Sequence, residues 1–256
     1  MHDPKHNTRE IQIVGFGTCM ISGYPHDNGG FFKLACEEIA TKSEAPVTSA
    51  VHSFGGFPAP RAAKYLERRA LSKKPDFVII QLGTLDALCP VRPELLGSAR
   101  SKNLKTKVRN STENAQLTPA SNWSYPRWIL AAFIGFAFQL QPTTPLPQFI
   151  AAIDGIIDQC LAAGAIPIVL TPFVYGSLYS MRSGVRYANA LRELVAQKTG
   201  AILVDAMLAL WSKPRRETLQ HDGFHLSKVG HALVASAIAN AVCKSLQERD
   251  GPVAAE

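Results

Sequence analysis

Apolar and polar positions follow a regular order along the chain that predicts strands and helices in turn. Short apolar or alternating runs bounded by glycine or proline predict strands at residues 11–17, Val47–Phe54, Asp76–Leu82, Ile166–Thr171 and Ala201–Asp205. Apolar residues at helical spacing predict helices at Gly29–Lys42, Pro58–Leu71, Pro147–Ala163, Val185–Thr199 and Leu226–Leu246. Five strands alternating with helices predict a parallel sheet covered on both faces, because right-handed crossovers place the helices there.

This alternation stops between residues 90 and 147, which we interpret as an insertion. A loop of that length without structure is unusual in a compact domain, so the insertion is expected to carry a helix. Its apolar run, Trp128–Leu140 (WILAAFIGFAFQL), is too short to span a bilayer. Three alternatives stay open for this run: a buried helix, a lid or cap over a pocket, and a segment that contacts a membrane interface. Membrane contact is the least favoured of them.

Composition is that of an ordinary globular protein with a sizeable core. The 256 residues are 46% hydrophobic and 18% charged, which fits one α/β domain over residues 1–256. Of the net charge of +7, five positive residues fall between Arg100 and Arg109 with no acidic residue among them. A solvated loop is the usual meaning of such a run, and contact with an anionic surface or an acidic substrate is the other. No aromatic interleaving suggests a nucleic-acid partner.

The five cysteines do not predict a metal site or a disulfide framework. Their number is odd, their spacing is wide and no CxxC motif occurs. The polar beginning of the chain, MHDPKHNTRE, has no apolar stretch typical of a secretory signal. We therefore expect a reducing, cytoplasmic setting.

Residues 11–23, IQIVGFGTCMISG, form the stretch around which the rest of the chain is organised. Gly15 and Gly17 interrupt a buried strand where it must turn, and Cys19 follows at the mouth of that turn. A nucleophilic side chain on a sharp turn after a strand is how α/β hydrolytic enzymes present a reactive atom above the sheet. The alternative is that Cys19 only fills the core, because cysteine is among the most buried residue types.

A second stretch with chemical potential, HDGFHLSKVGH, comes immediately before the last predicted helix. Asp222 and His225 lie three residues apart in a predicted turn. At that separation a carboxylate can orient one imidazole nitrogen while the other nitrogen faces a nucleophile. The alternative is a helix N-cap aspartate beside a surface histidine.

Together these stretches resemble the SGNH, or GDSL-like, hydrolase family. The motif DGFHLSKVGHALVASAI is similar to the family's Asp-x-x-His block, which implies that Asp222 is the orienting carboxylate and His225 the base. SFGGFPAPRAAKYL resembles the block whose glycine, here Gly56, gives its backbone N–H to the oxyanion hole. The resemblance implies a three-layer α/β/α flavodoxin-like fold with a five-stranded parallel sheet and activity on carboxylic esters or other acyl groups.

Two blocks depart from the family pattern. In GFGTCMISGY, Cys19 stands at the position of the nucleophilic serine and Thr18 at that of the preceding aspartate. In LGTLDAL, Leu85 stands where the family has an asparagine donor, while Asp86 is retained. The backbone N–H groups of Cys19 and Gly56 remain as oxyanion donors. Thr18, Thr84, Leu85 and Asp86 are expected to border the substrate pocket, and the hydroxyls of Thr18 and Thr84 are alternative donors.

The sequence therefore predicts an acyl-ester hydrolase, or an acyltransferase, that uses a Cys19–His225–Asp222 triad. A thiolate is intrinsically a strong nucleophile, whereas the loss of one oxyanion donor costs about 10²–10³ in kcat. A slow or specialised enzyme acting on a small acyl ester or an acylated carbohydrate is expected, with no metal and no organic cofactor. The rival hypothesis is a catalytically degenerate module that binds an acyl or carbohydrate ligand. The sequence does not predict an oligomeric state.

Overall fold

A computed structural model describes residues 9–23, 30–89, 133–174, 178–220 and 224–250. Its centre is one five-stranded sheet in the order β2-β1-β3-β4-β5, with all neighbouring strands parallel. The strands are β1 (Ile11–Gly17), β2 (Val47–Ser53), β3 (Phe77–Gln81), β4 (Ile166–Leu170) and β5 (Ile202–Val204). The predicted number of strands and their parallel pairing are confirmed.

Helices connect the strands and cover both faces of the sheet. The described helices are α1 (Gly30–Ser43), α2 (Ala59–Ala63), α3 (Leu66–Arg69), α4 (Leu146–Ala162), α5 (Leu178–Ala196), α6 (Ala206–Trp211), α7 (Arg215–Thr218) and α8 (Lys228–Asp250), with a 3₁₀ turn at Leu71–Lys73. Residues 133–137, within the insertion, are also helical.

Two apolar cores lie on opposite faces of the sheet and confirm the three-layer α/β/α fold. One core joins strand residues such as Ile13 and Ile79 to α1 and α8. The other joins Val14 and Val78, whose side chains point the opposite way, to α2, α4 and α5. This alternation follows from the strand repeat of two residues, and it explains why β1 and β3 are apolar at almost every position.

The boundaries of two predicted helices were wrong. The helix expected at Pro58–Leu71 is divided into α2, α3 and the 3₁₀ turn, because the Tyr65 N–H bonds to the Ala62 carbonyl at 2.9 Å and tightens the chain there. Helix α5 begins seven residues before the predicted Val185. Small buried residues in its first turns, including Gly184 against Val174, hid the apolar periodicity. The short helices α6 and α7 were not predicted.

Helix α8 is long and apolar enough to cross a membrane by length and composition alone, since an 18-residue stretch within Lys228–Arg249 has a mean hydropathy of 1.3. In the structure it packs along α1, and its residues Val234, Ile238 and Val242 are fully buried in the core. A core helix of a soluble fold meets the same criterion, so this helix is weak evidence for a membrane span.

Candidate active site

The carboxyl ends of the three strands β2, β1 and β3 lie side by side and carry three of the predicted site residues. In the sheet register, Gly17 at the end of β1 pairs with Ser53 of β2 and with Gln81 of β3. Cys19, Gly56 and Leu85 follow these strand ends along the chain. The structure therefore brings them to one edge of the sheet, where ligands bind in parallel α/β folds.

Cys19 lies in a short turn that the neighbouring side chains hold in place. Met20 and Ile21 are buried in the core, whereas Cys19 is half exposed. The Ile21 N–H donates to the Thr18 carbonyl at 3.2 Å, and the Ser22 hydroxyl donates to the Cys19 carbonyl at 2.9 Å. Burial on one side and these hydrogen bonds on the other leave the Cys19 thiol near the surface of a fixed turn.

A buried polar pair, Thr18 and Gln81, lies beneath this turn. The Gln81 side-chain oxygen Oε1 accepts from the Thr18 hydroxyl at 2.8 Å and from the Thr18 N–H at 3.1 Å. Both side chains are about 98% buried or more. On the other side, Gln81 Nε2 lies 3.5 Å from the Thr84 hydroxyl, at the limit of a hydrogen bond. Thr18 and Thr84 thus face Gln81 inside the fold, and their place at the border of a substrate pocket stays a prediction.

Gln81 is the residue that sequence reasoning missed. It is the last residue of β3, within the run DFVIIQL, and a single polar residue at the end of a buried strand is the signal that could have pointed to it. Gly17 leaves no room beside it, since a Cβ there would lie 2.6 Å from the Gln81 carbonyl oxygen. Residue 17 must therefore be glycine for the two strand ends to approach this closely.

The loop after β2 presents Gly56 at the same edge. The Phe54 N–H donates to the Gly17 carbonyl at 2.9 Å, and the Phe54 ring packs on Phe16 with centroids 4.8 Å apart. Gly55, with φ of +55°, then turns the chain outwards, and both glycines are exposed. No atom lies within 4 Å of a Cβ built on Gly56. Its backbone N–H is thus in an open part of the surface.

Asp86 is fully buried and supports the turn after β3, and its expected place at the border of the pocket stays a prediction. Its carboxylate accepts from the Ala59 N–H at 2.9 Å and from the Gly83 N–H at 3.2 Å. Burial raises the pKa of Asp86, and hydrogen bonds from Thr144, Ala59 and Gly83 oppose that shift. The carboxylate therefore joins the turn to the beginning of α2. The neighbouring residue, Leu85, is half-buried, and its side chain has no hydrogen-bond donor.

His225 lies in a loop that a short antiparallel bridge holds in front of α8. The bridge pairs Leu219 with Leu226, and the Gln220 N–H donates to the His225 carbonyl at 2.8 Å. The imidazole is half-buried, with its ring centroid 5.2 Å from that of Phe224. The predicted orienting carboxylate, Asp222, lies outside the described residues, and its placement in a triad stays a prediction.

Cys19 and the loop of His225 lie on the same side of the sheet. Both Cys19 and Phe224 pack against the apolar core between the sheet and helices α1 and α8. Near the start of α8, His231 Nδ1 accepts from the Phe31 N–H at 3.1 Å, at the start of α1. Since α1 follows the Cys19 turn along the chain, this contact joins the beginning of α8 to the same edge.

A cleft lies away from these residues. It has a volume of about 530 Å³ and is lined by Arg9, Lys42, Asp76 and Cys243, among others, where β1 and β3 begin. It therefore opens at the opposite edge of the sheet from Cys19. Within the described ranges, no three His, Cys, Asp or Glu side chains are grouped as a metal site would require.

Comparisons with known proteins agree with the sequence motifs and the fold. A family model described as GDSL-like lipase/acylhydrolase matches residues 18–233. A search of curated protein sequences found no match. Among solved structures, a lipase/acylhydrolase from Enterococcus faecalis is similar, with a TM-score of 0.63 at 18% identity, over 92% of this chain and 96% of that one.

Two carbohydrate-active esterases are also similar in structure. An acetylxylan esterase from Geobacillus stearothermophilus has a TM-score of 0.62 at 14% identity, over 91% of this chain and 94% of that one. A family 3 carbohydrate esterase from Clostridium thermocellum has a TM-score of 0.59 at 14% identity, over 95% of this chain and 100% of that one. At these identities the similarity shows the fold.

Proposed function

The chain belongs to the GDSL-like lipase/acylhydrolase family and is a hydrolase that acts on ester bonds, and we propose that Cys19 is its nucleophile. The observation that carries this proposal is the position of Cys19, half exposed on a fixed turn at the end of β1 and at the same sheet edge as Gly56. His225 is proposed as the base, with Asp222 orienting it. The substrate is proposed to be a small acyl ester or an acylated carbohydrate.

The proposed chemistry uses groups of this chain alone. The Cys19 sulfur adds to the ester carbonyl carbon while the thiol proton passes to His225. The backbone N–H groups of Cys19 and Gly56 stabilise the oxyanion. When the tetrahedral intermediate collapses, the C–O bond to the alcohol breaks and His225 protonates the departing oxygen, which leaves a thioester on Cys19. Water deprotonated by His225 then hydrolyses the thioester and restores the thiol. An alcohol in place of water makes the same scheme an acyl transfer.

Replacement of the family's asparagine donor by Leu85 sets the expected rate. A missing oxyanion donor lowers kcat by about 10²–10³, which is about 3–4 kcal/mol of transition-state stabilisation. The Thr18 hydroxyl donates to Gln81 Oε1, so it is a poor substitute. The Thr84 hydroxyl accepts from Gln81 Nε2 and is fully buried, and its burial makes it a poor substitute as well. We therefore propose a slow enzyme for activated esters, with deacylation of the thioester assisted by His225.

The test is to trap the acyl enzyme and map it. The protein is incubated with 4-nitrophenyl acetate, nitrophenolate release is followed, and acetylated peptides are identified by mass spectrometry. Acetylation is expected on Cys19 only, with turnover lost in Cys19→Ala and strongly reduced in His225→Gln. Cys243→Ala is the matched control, because Cys243 is also half exposed but lies at the opposite edge.

Two results would contradict the proposal. Full turnover in Cys19→Ala would assign the chemistry to another residue. A folded wild-type protein that neither turns over esters nor acquires an acetyl group, yet binds an acyl ligand, would favour the rival hypothesis of a degenerate binding module. Replacement of the family's serine by Cys19 and of its asparagine by Leu85 is the observation behind that rival.

For the insertion, 90–147, we propose a role as a cap that selects substrates. Its described end is tied to the turn after β3, since the Thr143 N–H donates to the Leu88 carbonyl at 2.8 Å and the Thr144 N–H to the Asp86 carbonyl at 3.1 Å. Replacing residues 98–132 with a short Gly/Ser linker preserves these bonds. The shortened protein should stay folded and change its preference for acyl chain length. Unchanged preference would remove the insertion from substrate selection.

A further inference from the structure

Four large apolar side chains are exposed in two segments that contact each other, residues 133–138 and the start of α5. Phe133, Phe136 and Phe138 are 69%, 50% and 67% exposed, and Leu178 at the start of α5 is 68% exposed. Phe136 packs edge-on against Tyr179, with ring centroids 4.9 Å apart, and Tyr179 follows Leu178 in α5. We call these four residues the aromatic face. Of the alternatives for the run Trp128–Leu140, a buried helix does not fit its described residues, because all three phenylalanines are exposed.

The aromatic face is held in place rather than collapsed onto the core. Gly135 lies so close to Tyr179 that a Cβ on it would meet the ring at 2.6 Å. The Tyr179 hydroxyl donates to the Leu140 carbonyl at 3.0 Å, and the Tyr187 hydroxyl donates to the Thr144 carbonyl. These contacts hold the segment against α5 through Gly135 and two backbone carbonyls, so its phenylalanines stay exposed to water. Exposed apolar surface is unfavourable, and binding of a partner would remove it from water.

The charges around the aromatic face are positive. Arg182 and Arg186 are exposed and lie four and eight residues after Leu178, on the same side of α5. The sequence has no Asp or Glu between residues 114 and 153, or between residues 164 and 192. Exposed apolar side chains beside positively charged ones, without negative charges between them, are typical of surfaces that bind anionic lipid.

We propose that the aromatic face docks the protein on an anionic lipid surface, with the phenylalanines among the acyl chains and the arginines at the headgroups. A second copy of the chain is a poorer fit. A two-fold contact through this face would bring the arginines of both copies together, and the segments that form it carry no carboxylate to offset them. Because residues 143 and 144 bond to the turn after β3, docking would also hold the candidate active edge near the lipid surface.

Co-sedimentation with vesicles tests the proposal and requires no catalytic activity. The probes are vesicles of phosphatidylcholine alone and vesicles in which about a third of the lipid is phosphatidylglycerol. The wild-type protein is expected to bind the anionic vesicles at least about tenfold more tightly than the phosphatidylcholine vesicles, with part of the affinity lost at high salt. Phe133→Ser/Phe138→Ser should lower the affinity for anionic vesicles at least about tenfold. Arg182→Gln/Arg186→Gln should remove most of the preference for anionic lipid.

A matched control removes apolar side chains elsewhere. Leu208 and Trp211 on α6 are 63% and 50% exposed, and α6 packs on the opposite core from α5. Leu208→Ser/Trp211→Ser should leave vesicle binding unchanged, and circular dichroism should show that every variant is folded.

Three outcomes would overturn the proposal. The first is a wild-type protein that does not bind anionic vesicles. The second is binding that Phe133→Ser/Phe138→Ser leaves unchanged, which would assign it to charge alone. The third is a wild-type dimer in analytical ultracentrifugation that the same variant converts to a monomer, which would make the aromatic face a contact between copies.

Discussion

The buried pair of Gln81 and Thr18 gives the sharpest prediction about what holds the Cys19 turn. Gln81→Met keeps the length and volume of the side chain but removes the oxygen that accepts from the Thr18 hydroxyl and N–H at 2.8 and 3.1 Å. The hydroxyl then has no acceptor in a site that is about 98% buried. Leaving one buried donor unsatisfied costs about 1–3 kcal/mol. The Thr18 N–H loses its bond to Oε1 and retains only the one to the Gln81 backbone carbonyl at 3.3 Å. This loss adds about 1 kcal/mol to the cost in stability.

Gln81→Met should therefore lower the free energy of unfolding by about 3 kcal/mol. For a protein of this size that corresponds to a decrease in Tm of roughly 6–12 °C. Thr18→Val removes the hydroxyl but leaves the N–H bond, so it should cost only about 1 kcal/mol. Thr84→Val is the matched control, because the Thr84 hydroxyl lies 3.5 Å from Gln81 Nε2 and its loss should cost less than that of Thr18.

The double variant Thr18→Val/Gln81→Met removes donor and acceptor together. Its loss of stability should be about 2 kcal/mol smaller than the sum of the two single losses. Urea unfolding of the wild type, Gln81→Met, Thr18→Val and the double variant measures this coupling. Alkylation of Cys19 in each of them reports whether the turn is still formed. Losses that add to within about 0.5 kcal/mol would refute the reasoning, since independent sites behave in that way.

Three further predictions concern the thiols, the oxyanion and the buried carboxylate. Iodoacetamide reacts with thiolates, and near pH 7.5 it should alkylate Cys19 well before Cys36 and Cys160. Burial raises the pKa of those two thiols to about 11 and about 12, so few of them are ionised. Peptide mapping measures the rates, and equal rates would contradict this prediction. Leu85→Asn should raise turnover of activated esters, by up to roughly 10²-fold if the amide reaches the oxyanion, and a folded variant without any gain would show that the missing donor does not limit the rate. The raised pKa of Asp86 means that the folded state holds its proton more tightly than the unfolded state, so the wild type should lose stability relative to Asp86→Asn as pH rises above about 4. Thermal melts between about pH 4 and 7 measure this difference, and a wild-type advantage that grows with pH would exclude it.

The sheet could be predicted because its strands carry their own signals. Runs such as FVIIQ in β3 are buried at every position, so the sequence itself is apolar throughout. The beginning of α5 could not be predicted in this way. Its buried residues there, Ser180, Ser183 and Gly184, are small or polar, and only their burial and the contact of Gly184 with Val174 show which side faces the core.

The candidate site could be predicted where glycine or a reactive side chain marks it. Cys19, Gly56 and His225 stand out in local motifs, and the first two come to one edge as parallel strands require. Gln81 and Asp86 do not stand out, because their roles depend on partners far along the chain. Gln81 binds Thr18 at a separation of 63 residues, and Asp86 binds the Ala59 N–H at a separation of 27. Such pairings follow from strand order, which single-residue patterns do not encode.

The open surroundings of Gly56 affect how its contribution would be detected by mutation. A side chain at this position meets no atom within 4 Å, and only its neighbour Gly55 has a positive φ, of +55°. Gly56→Ala should therefore be tolerated, while Gly55→Ala should be strained. Since every residue except proline supplies the same N–H, a saturation scan would score position 56 as dispensable even if its N–H stabilises the oxyanion as proposed. Only removal of that hydrogen, by proline or by an amide-to-ester backbone replacement, would reveal it.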